Sequence, residues 1–89
     1  MPPVRMYCTR ICPYCVRALN LLGRKGVAVD KVFVDQDPER RREMVAITGR
    51  TSVPQIFVGD RHVGGFDELS ELETGGELDR LLAGESGNH

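Results

Sequence analysis

A chain of 89 residues has room for one small domain and not for a second. Its 12 Lys and Arg against 13 Asp and Glu leave a formal net charge of −1, too small to attract nucleic acid or an anionic membrane electrostatically. Hydrophobic residues make up 40% and charged residues 28%, a composition that is typical of a folded globular protein and excludes a disordered or fibrous one.

Neither a membrane segment nor an export signal is visible in the sequence. No apolar run approaches the roughly 20 residues that cross a bilayer, and the N-terminus lacks the apolar stretch of roughly 7 to 15 residues found in a signal peptide. We therefore expect a cytoplasmic monomer without nucleic-acid or membrane partners. Two of the three cysteines are only three positions apart, which favours redox or metal chemistry over the disulfide scaffold of a secreted protein.

The first half of the chain predicts alternating strands and helices. Residues 4–7 form a short run typical of a buried strand. From Pro13 onwards, apolar residues follow the i, i+3, i+4, i+7 spacing of one helical face, which predicts a helix over 13–24. The β-branched and aromatic residues of 29–34 predict a second strand. Asp37 then has the features of a helix N-cap, and Gly49 those of the end of that helix.

The second half of the chain predicts a hairpin followed by helix. Residues 55–58 and 61–63 are strand-like runs joined by the two-residue loop Gly59-Asp60. A short helix follows and stops at Gly75-Gly76, and three leucines add a last turn or two. The order βαβαββα predicts an α/β fold with a four-stranded mixed sheet and helices on both faces. We expect the domain to span 1–83, with 84–89 as a flexible tail.

The two closely spaced cysteines lie in Cys12-Pro13-Tyr14-Cys15, where the first strand meets the first helix. Unpaired N–H groups and the positive end of the helix dipole favour a thiolate at Cys12, which makes it the attacking sulfur. Cys15, one turn inside the helix on its apolar face, is suited to resolve a mixed disulfide by forming a disulfide with Cys12. The sequence therefore predicts a dithiol redox site.

Other uses of the cysteines are weighed against this one. The two could be reduced core residues, and Cys8-x3-Cys12-x2-Cys15 also has the spacing of the iron-sulfur loop in radical S-adenosylmethionine enzymes, whose barrel is too large for this chain. A zinc site completed by His62 is chemically permissible. We expect no metal, and we expect Cys8 to be a strand-end residue with an accessible or half-buried thiol.

Three motifs, taken together, resemble those of the glutaredoxins in order and spacing: Cys12-Pro13-Tyr14-Cys15, Ser52-Val53-Pro54 and Gly64-Gly65-Phe66-Asp67-Glu68-Leu69. A Cys-x-x-Cys alone is a weak signal, whereas this combination is specific, and the similarity runs over residues 4–82. The resemblance implies a thioredoxin-like fold, which agrees with the order of strands and helices predicted above.

The resemblance also implies an activity and a binding site. Cys12 would be the nucleophile and Cys15 the resolving thiol, with glutathione as co-substrate. Val53 would precede a cis-proline turn and pair its backbone with glutathione like an added strand. The helix start near Asp67 would hold the γ-glutamyl end. The residues expected to bind glutathione are Tyr14, Ser52, Val53, Pro54, Gly65, Phe66 and Asp67.

The sequence departs from the family pattern at several positions. Thr9 stands where the family usually has a lysine, so the cation for the glycine carboxylate of glutathione would come from Arg10 or Arg50. Ser52 replaces the usual threonine but keeps the hydroxyl. Phe66 stands where many relatives have a cysteine or a small residue.

Three functions are compatible with these motifs. The first is a glutathione-dependent thiol-disulfide oxidoreductase that reduces protein-glutathione mixed disulfides and protein disulfides. The second is an iron-sulfur carrier, but relatives with that role resemble Cys-Gly-Phe-Ser at the site, and Pro13, Tyr14 and Cys15 argue against it. The third is a thioredoxin-like donor fed by a flavin reductase; thioredoxins usually have a tryptophan before the cysteines, and this chain has none.

Overall fold

A computed structural model of the chain describes residues 2–84; the expected flexible tail, apart from its first residue, lies outside the described residues. The predicted order of elements is confirmed, with one addition at the end. The turns predicted after Gly75-Gly76 form a separate short helix. The elements are β1 (Val4–Cys8), α1 (Pro13–Arg24), β2 (Val29–Phe33), α2 (Pro38–Thr48), β3 (Gln55–Val58), β4 (Arg61–Gly64), α3 (Phe66–Thr74) and α4 (Leu78–Leu82).

The four strands form one mixed sheet in the order β2-β1-β3-β4. β1 and β2 are parallel and joined by α1, whereas β1 pairs with β3, and β3 with β4, in antiparallel fashion. Tyr7 near the end of β1 lies opposite Gln55 at the start of β3. The loop after β1 holds Cys12, and the loop before β3 holds Ser52 to Pro54. Because β1 and β3 are antiparallel neighbours, the two loops meet at the same end of the sheet.

Helices cover both faces of this sheet. Successive strand residues point to opposite faces, and Met6 and Ile56 belong to a large buried cluster with residues of α1, α3 and α4. On the opposite face, Tyr7 packs with Val34 and with Met44 of α2. The two faces thus have separate apolar cores that share one sheet.

The ends of α2 follow from its local sequence. The Asp37 carboxylate accepts hydrogen bonds from the backbone N–H groups of Glu39 at 3.1 Å and Arg40 at 3.4 Å. Gly49 ends the helix at φ 70°, a left-handed conformation that glycine adopts without a steric penalty. Both predicted ends are confirmed. Within residues 2–84, no helix combines the length and the apolar character needed to cross a bilayer.

Candidate active site

Cys12 is the N-cap residue of α1, directly before Pro13 in the first turn. Its backbone is extended, with φ −151° and ψ 107°, and its sulfur accepts a hydrogen bond from the backbone N–H of Cys15 at 3.3 Å. The sulfur therefore occupies the place where a capping oxygen would usually lie, at the positive end of the helix dipole. A backbone N–H donor and the positive end of the dipole therefore both lie at this sulfur.

The other two cysteines are buried, whereas Cys12 is partly exposed. Burial, followed by the hydrogen bond with Cys12, raises the pKa of the Cys15 thiol to about 12. Burial also raises the pKa of Cys8. The expectation of an accessible or half-buried Cys8 is wrong, because β1 continues one residue further than predicted and turns this side chain into the core, where it is 1% exposed.

The donor groups considered for a metal site do not converge. Among residues 2–84, no three or more His, Cys, Asp or Glu side chains form a group with metal-binding geometry. His62 lies instead against Gln55, with 2.7 Å between its Nε2 and the Gln55 Oε1. The zinc arrangement of Cys8, Cys12, Cys15 and His62 is therefore not formed.

A groove of about 300 Å³ opens beside Cys12. The peptide bond between Val53 and Pro54 is cis, and the Val53 carbonyl oxygen lies 3.9 Å from the Cys12 sulfur. Val53, one of the residues that line the groove, thus lies next to the Cys12 sulfur. Its lining contains all seven residues expected at the glutathione site, together with three further polar residues: Tyr14, Arg50, Ser52, Val53, Pro54, Gln55, Gly65, Phe66, Asp67 and Glu68.

The far side of the groove is the N-terminus of α3. Glu68 accepts a hydrogen bond from the Gly65 N–H at 2.6 Å, which lowers the pKa of its carboxyl group, and it pairs with Arg50 at 3.4 Å. Gly64 has φ 117°, and a Cβ there would lie 2.6 Å from the Glu68 carboxylate. Only glycine fits this turn, which brings the start of α3 and Asp67 to the groove.

The two arginines expected to supply a cation are placed differently. Arg50 lines the groove. Arg10 is held by Asp35, with 3.2 Å between its Nε and the carboxylate, and is not among the lining residues. Of the two candidates, the structure brings Arg50 alone to the groove.

Two lining residues were missed by the sequence reasoning. Glu68 is the third residue of α3 and caps its N-terminus, and an acidic residue at that position is a recognisable capping signal. Gln55 gives no such signal, since a polar residue at the start of a strand is ordinary. Its position in the groove follows from the pairing of β3 with its neighbours.

The arrangement is suited to thiol-disulfide exchange. A partly exposed sulfur at a helix N-terminus lies one turn from a buried thiol whose raised pKa keeps it protonated. The adjoining groove offers backbone groups, a helix N-terminus, a carboxylate and a guanidinium. Such a groove fits an extended ligand with charges of both signs.

Similarities to known proteins agree with this chemistry. Residues 4–63 match the family model for glutaredoxin. A glutaredoxin of Pseudomonas aeruginosa is 52% identical over 83 residues, which cover 93% of this chain and 99% of that protein. Glutaredoxin 3 of Escherichia coli is 45% identical over 82 residues, which cover 92% of this chain and 99% of that protein.

Solved structures show the same architecture. The solution structure of glutaredoxin from Brucella melitensis matches with a TM-score of 0.82 at 45% identity, covering 97% of this chain and 95% of that one. The crystal structure of a buckwheat glutaredoxin-glutathione complex matches with a TM-score of 0.86 at 27% identity, covering 93% of this chain and 78% of that one. The expected thioredoxin-like fold is confirmed.

Proposed function

This chain belongs to the glutaredoxin family of thiol-disulfide oxidoreductases, and we propose that it uses glutathione to reduce protein-glutathione mixed disulfides and protein disulfides. The observation that carries the proposal is the polar groove lined by Val53, whose carbonyl oxygen lies 3.9 Å from the Cys12 sulfur. The buckwheat relative that forms a complex with glutathione supports it. The proposal places the protein in the cytoplasm, because the reaction draws on a reducing glutathione pool, and it includes a monomeric state.

In this proposal, glutathione lies extended along the groove. Its cysteine pairs with the backbone of Val53 like an added strand, which directs its sulfur at Cys12. The free N–H groups at the start of α3 bind the γ-glutamyl carboxylate, and Asp67 binds the ammonium group. Arg50 takes the place of the family lysine opposite the glycine carboxylate, and the ring of Tyr14 flanks the tripeptide.

Reduction of a mixed disulfide needs one protein thiol and one free glutathione, in addition to the glutathione held in the mixed disulfide. The Cys12 thiolate attacks the glutathione sulfur, so that a Cys12-glutathione disulfide forms and the target leaves as a thiolate, which takes a proton from water. A second glutathione thiolate then attacks the glutathione sulfur bound to Cys12. Oxidised glutathione leaves and the Cys12 thiolate is regenerated.

Reduction of a protein disulfide uses both protein thiols. Cys12 attacks one sulfur of the target, and Cys15 then attacks the Cys12 sulfur, releasing the second target thiol and leaving a Cys12-Cys15 disulfide. Because the Cys15 pKa is about 12, Cys15 gives up its proton as the leaving thiolate gains one. Glutathione reduces the disulfide afterwards.

Variants of the two cysteines test this division of labour. Cys15→Ser should keep activity on a glutathionylated peptide, within roughly threefold of the unchanged protein, and lose at least about tenfold on a disulfide-bonded protein. Cys12→Ser should lose both, since a serine hydroxyl is un-ionised at neutral pH and a poor nucleophile towards sulfur. Turnover is measured with glutathione and glutathione reductase, with both substrates run side by side.

Each outcome of this experiment decides a part of the mechanism. Equal loss of both activities in Cys15→Ser would show that glutathione does not resolve the Cys12 adduct. If the unchanged protein turned over neither substrate with glutathione, the proposed dependence on glutathione would be wrong.

A further inference from the structure

The side chain of Gln55 connects the groove to a histidine on the neighbouring strand. Gln55 is 1% exposed, and its Nε2 donates to the Ser52 carbonyl oxygen at 3.0 Å and to the Ser52 hydroxyl oxygen at 3.4 Å. Its Oε1 lies 2.7 Å from Nε2 of His62. A continuous hydrogen-bonded chain therefore runs from β4 to the loop before the cis proline.

The partners of Gln55 determine which atom donates at each step. Two oxygens of Ser52 face one end of the amide, and the carbonyl oxygen among them can only accept, so the amide nitrogen must lie at that end. The amide oxygen then faces His62 and accepts, which places a proton on the His62 Nε2. Burial and the nearby Arg50 guanidinium lower the pKa of His62, so the neutral ring that donates from Nε2 is the form present at neutral pH.

Neighbouring elements hold the His62 ring in this position. In the hairpin, His62 lies opposite Phe57, and the two rings stack with centroids 4.9 Å apart at an angle of 27°. The register of β3 and β4 shifts between Ile56 and Phe57, so that Gly64 pairs with Ile56. His62 is therefore the last residue of β4 before the bulge, and its ring contacts both Phe57 and the Gln55 amide.

The hydrogen bond from Gln55 to the Ser52 carbonyl oxygen also orients the N–H of Val53, because both groups belong to one peptide unit. The peptide bond between Ser52 and Val53 is trans, so its carbonyl and N–H point in opposite directions from one rigid plane. Gln55 binds the carbonyl and thereby fixes the direction of the Val53 N–H, on the side away from Gln55. Val53 is also the residue whose own carbonyl lies 3.9 Å from the Cys12 sulfur.

We propose that His62 is a positioning residue for the disulfide substrate: it holds Gln55, and Gln55 holds the Ser52-Val53 peptide so that the Val53 N–H faces the backbone of the bound tripeptide. This inference rests on the proposed glutathione function and deepens it. His62 touches neither substrate nor sulfur, and it acts through the preorganisation of a binding group. Its contribution is to substrate affinity and not to the reactivity of Cys12.

A matched pair of substitutions at position 62 tests the proposal. His62→Phe keeps a ring that stacks on Phe57 but removes the donor, and His62→Gln restores a donor to the Gln55 oxygen. We expect His62→Phe to raise KM for a glutathionylated peptide by roughly 2- to 10-fold, the effect of about one hydrogen bond, with little change in kcat. His62→Gln should return KM to within about twofold of the unchanged protein.

Two further readouts separate positioning from stability. The rate of Cys12 alkylation should be equal in all three proteins, and the Val53 amide resonance in NMR spectra without ligand should move in His62→Phe and return in His62→Gln. A merely structural role would lower the folded fraction, and with it the apparent kcat, and would leave KM unchanged. Should His62→Phe not fold, His62→Asn, whose amide is too short to reach Gln55, replaces it with the same expected results.

The failures of the two proposals are distinguishable. Glutathione-dependent turnover by the unchanged protein, with an unaltered KM and Val53 resonance in the donor-free variant, would overturn the role of His62 alone. Absence of glutathione-dependent turnover in the unchanged protein would overturn the proposed function, and the positioning role with it.

Discussion

Cys12 differs from Cys8 and Cys15 in what surrounds its sulfur. It is partly exposed and receives an N–H hydrogen bond from the first turn of α1. The sulfurs of Cys8 and Cys15 are buried, and burial raises the pKa of each thiol. The three thiols therefore differ in access to solvent and in hydrogen bonding because of their positions in the fold.

This difference predicts the order in which the cysteines react. At mildly acidic and neutral pH, iodoacetamide should label Cys12 first in the reduced protein, because both a thiolate and access to solvent are required. Cys15 labelling should stay slow until the pH approaches its pKa of about 12. Peptide mapping of the alkylated protein measures the order. Faster labelling of Cys8 or Cys15 than of Cys12 would show that the nucleophile is wrongly assigned.

Asp67 is predicted to contribute to glutathione affinity without affecting the sulfur chemistry. Asp67→Ala should raise KM for a glutathionylated peptide by roughly 2- to 10-fold, a modest effect because the side chain is exposed and water weakens its ion pair. Asp60→Ala, which removes an equal charge in the turn between β3 and β4, is the control and should leave KM unchanged. Equal KM values for the two variants would remove Asp67 from the binding site.

The site residues that could be predicted from the sequence are those in contiguous motifs. The sequence reasoning found Cys12, Cys15, the loop before β3 and the start of α3. Each of them lies where a strand and a helix, or a loop and a strand, follow one another in a recognisable sequence pattern. Gln55 and His62 were not found, because their roles arise from a hydrogen bond between two strands. The burial of Cys8 was not predicted, because β1 extends one residue beyond the run 4–7 from which the strand was recognised.

At the scale of elements, the side chain of Glu68 caps the N-terminus of α3. This residue accepts from the Gly65 N–H and pairs with Arg50, and the first of these contacts is the main cause of its lowered pKa. A carboxyl group whose pKa is lower in the folded state than in the unfolded state stabilises the fold at pH values above its unfolded pKa. That contribution is lost as the pH falls through the folded value.

The corresponding prediction concerns stability in acid. The free energy of unfolding should fall as the pH drops below the ordinary glutamate value of 4.5, and Glu68→Gln, whose amide oxygen still accepts from Gly65 but does not titrate, should show a shallower fall. Glu71→Gln, at an exposed position of α3, should follow the unchanged protein. Urea denaturation at a series of pH values gives the curves. Parallel curves for the unchanged protein and Glu68→Gln would contradict the role of this carboxylate.

Helix ends were predictable where the chain supplies its own caps. Asp37 and Gly49 bound α2 as expected, because an N-cap carboxylate and a left-handed glycine act on their own neighbours. The separate helix α4 was not predicted as such. Gly76 in a left-handed conformation separates it from α3, and the leucine spacing alone does not show whether the chain continues one helix or begins another.

At the scale of the whole molecule, the sheet separates two cores. Ile56 packs with residues of α1, α3 and α4 on one face, and Met44 of α2 packs with Tyr7 on the other. The mixed sheet and the helices on both faces were predictable from the order of strands and helices. The position of β1 between β2 and β3 was not, because pairing between distant strands depends on which edges meet after the helices have packed.

Because the sheet lies between the two cores, substitutions on its opposite faces should act independently. Ile56→Val should cost about 0.5–1.5 kcal/mol and Met44→Ala about 2–5 kcal/mol of the free energy of unfolding, and the double variant should match their sum within about 0.5 kcal/mol. Val34→Ala combined with Met44→Ala, within one core, is the comparison and should deviate from additivity. Guanidinium denaturation followed by circular dichroism gives each value, and the unfolding should be a single transition because both cores are built on the same strands. Non-additivity of Ile56→Val and Met44→Ala as large as that of the comparison pair would mean that packing strain crosses the sheet, and that the domain has one mechanically continuous core.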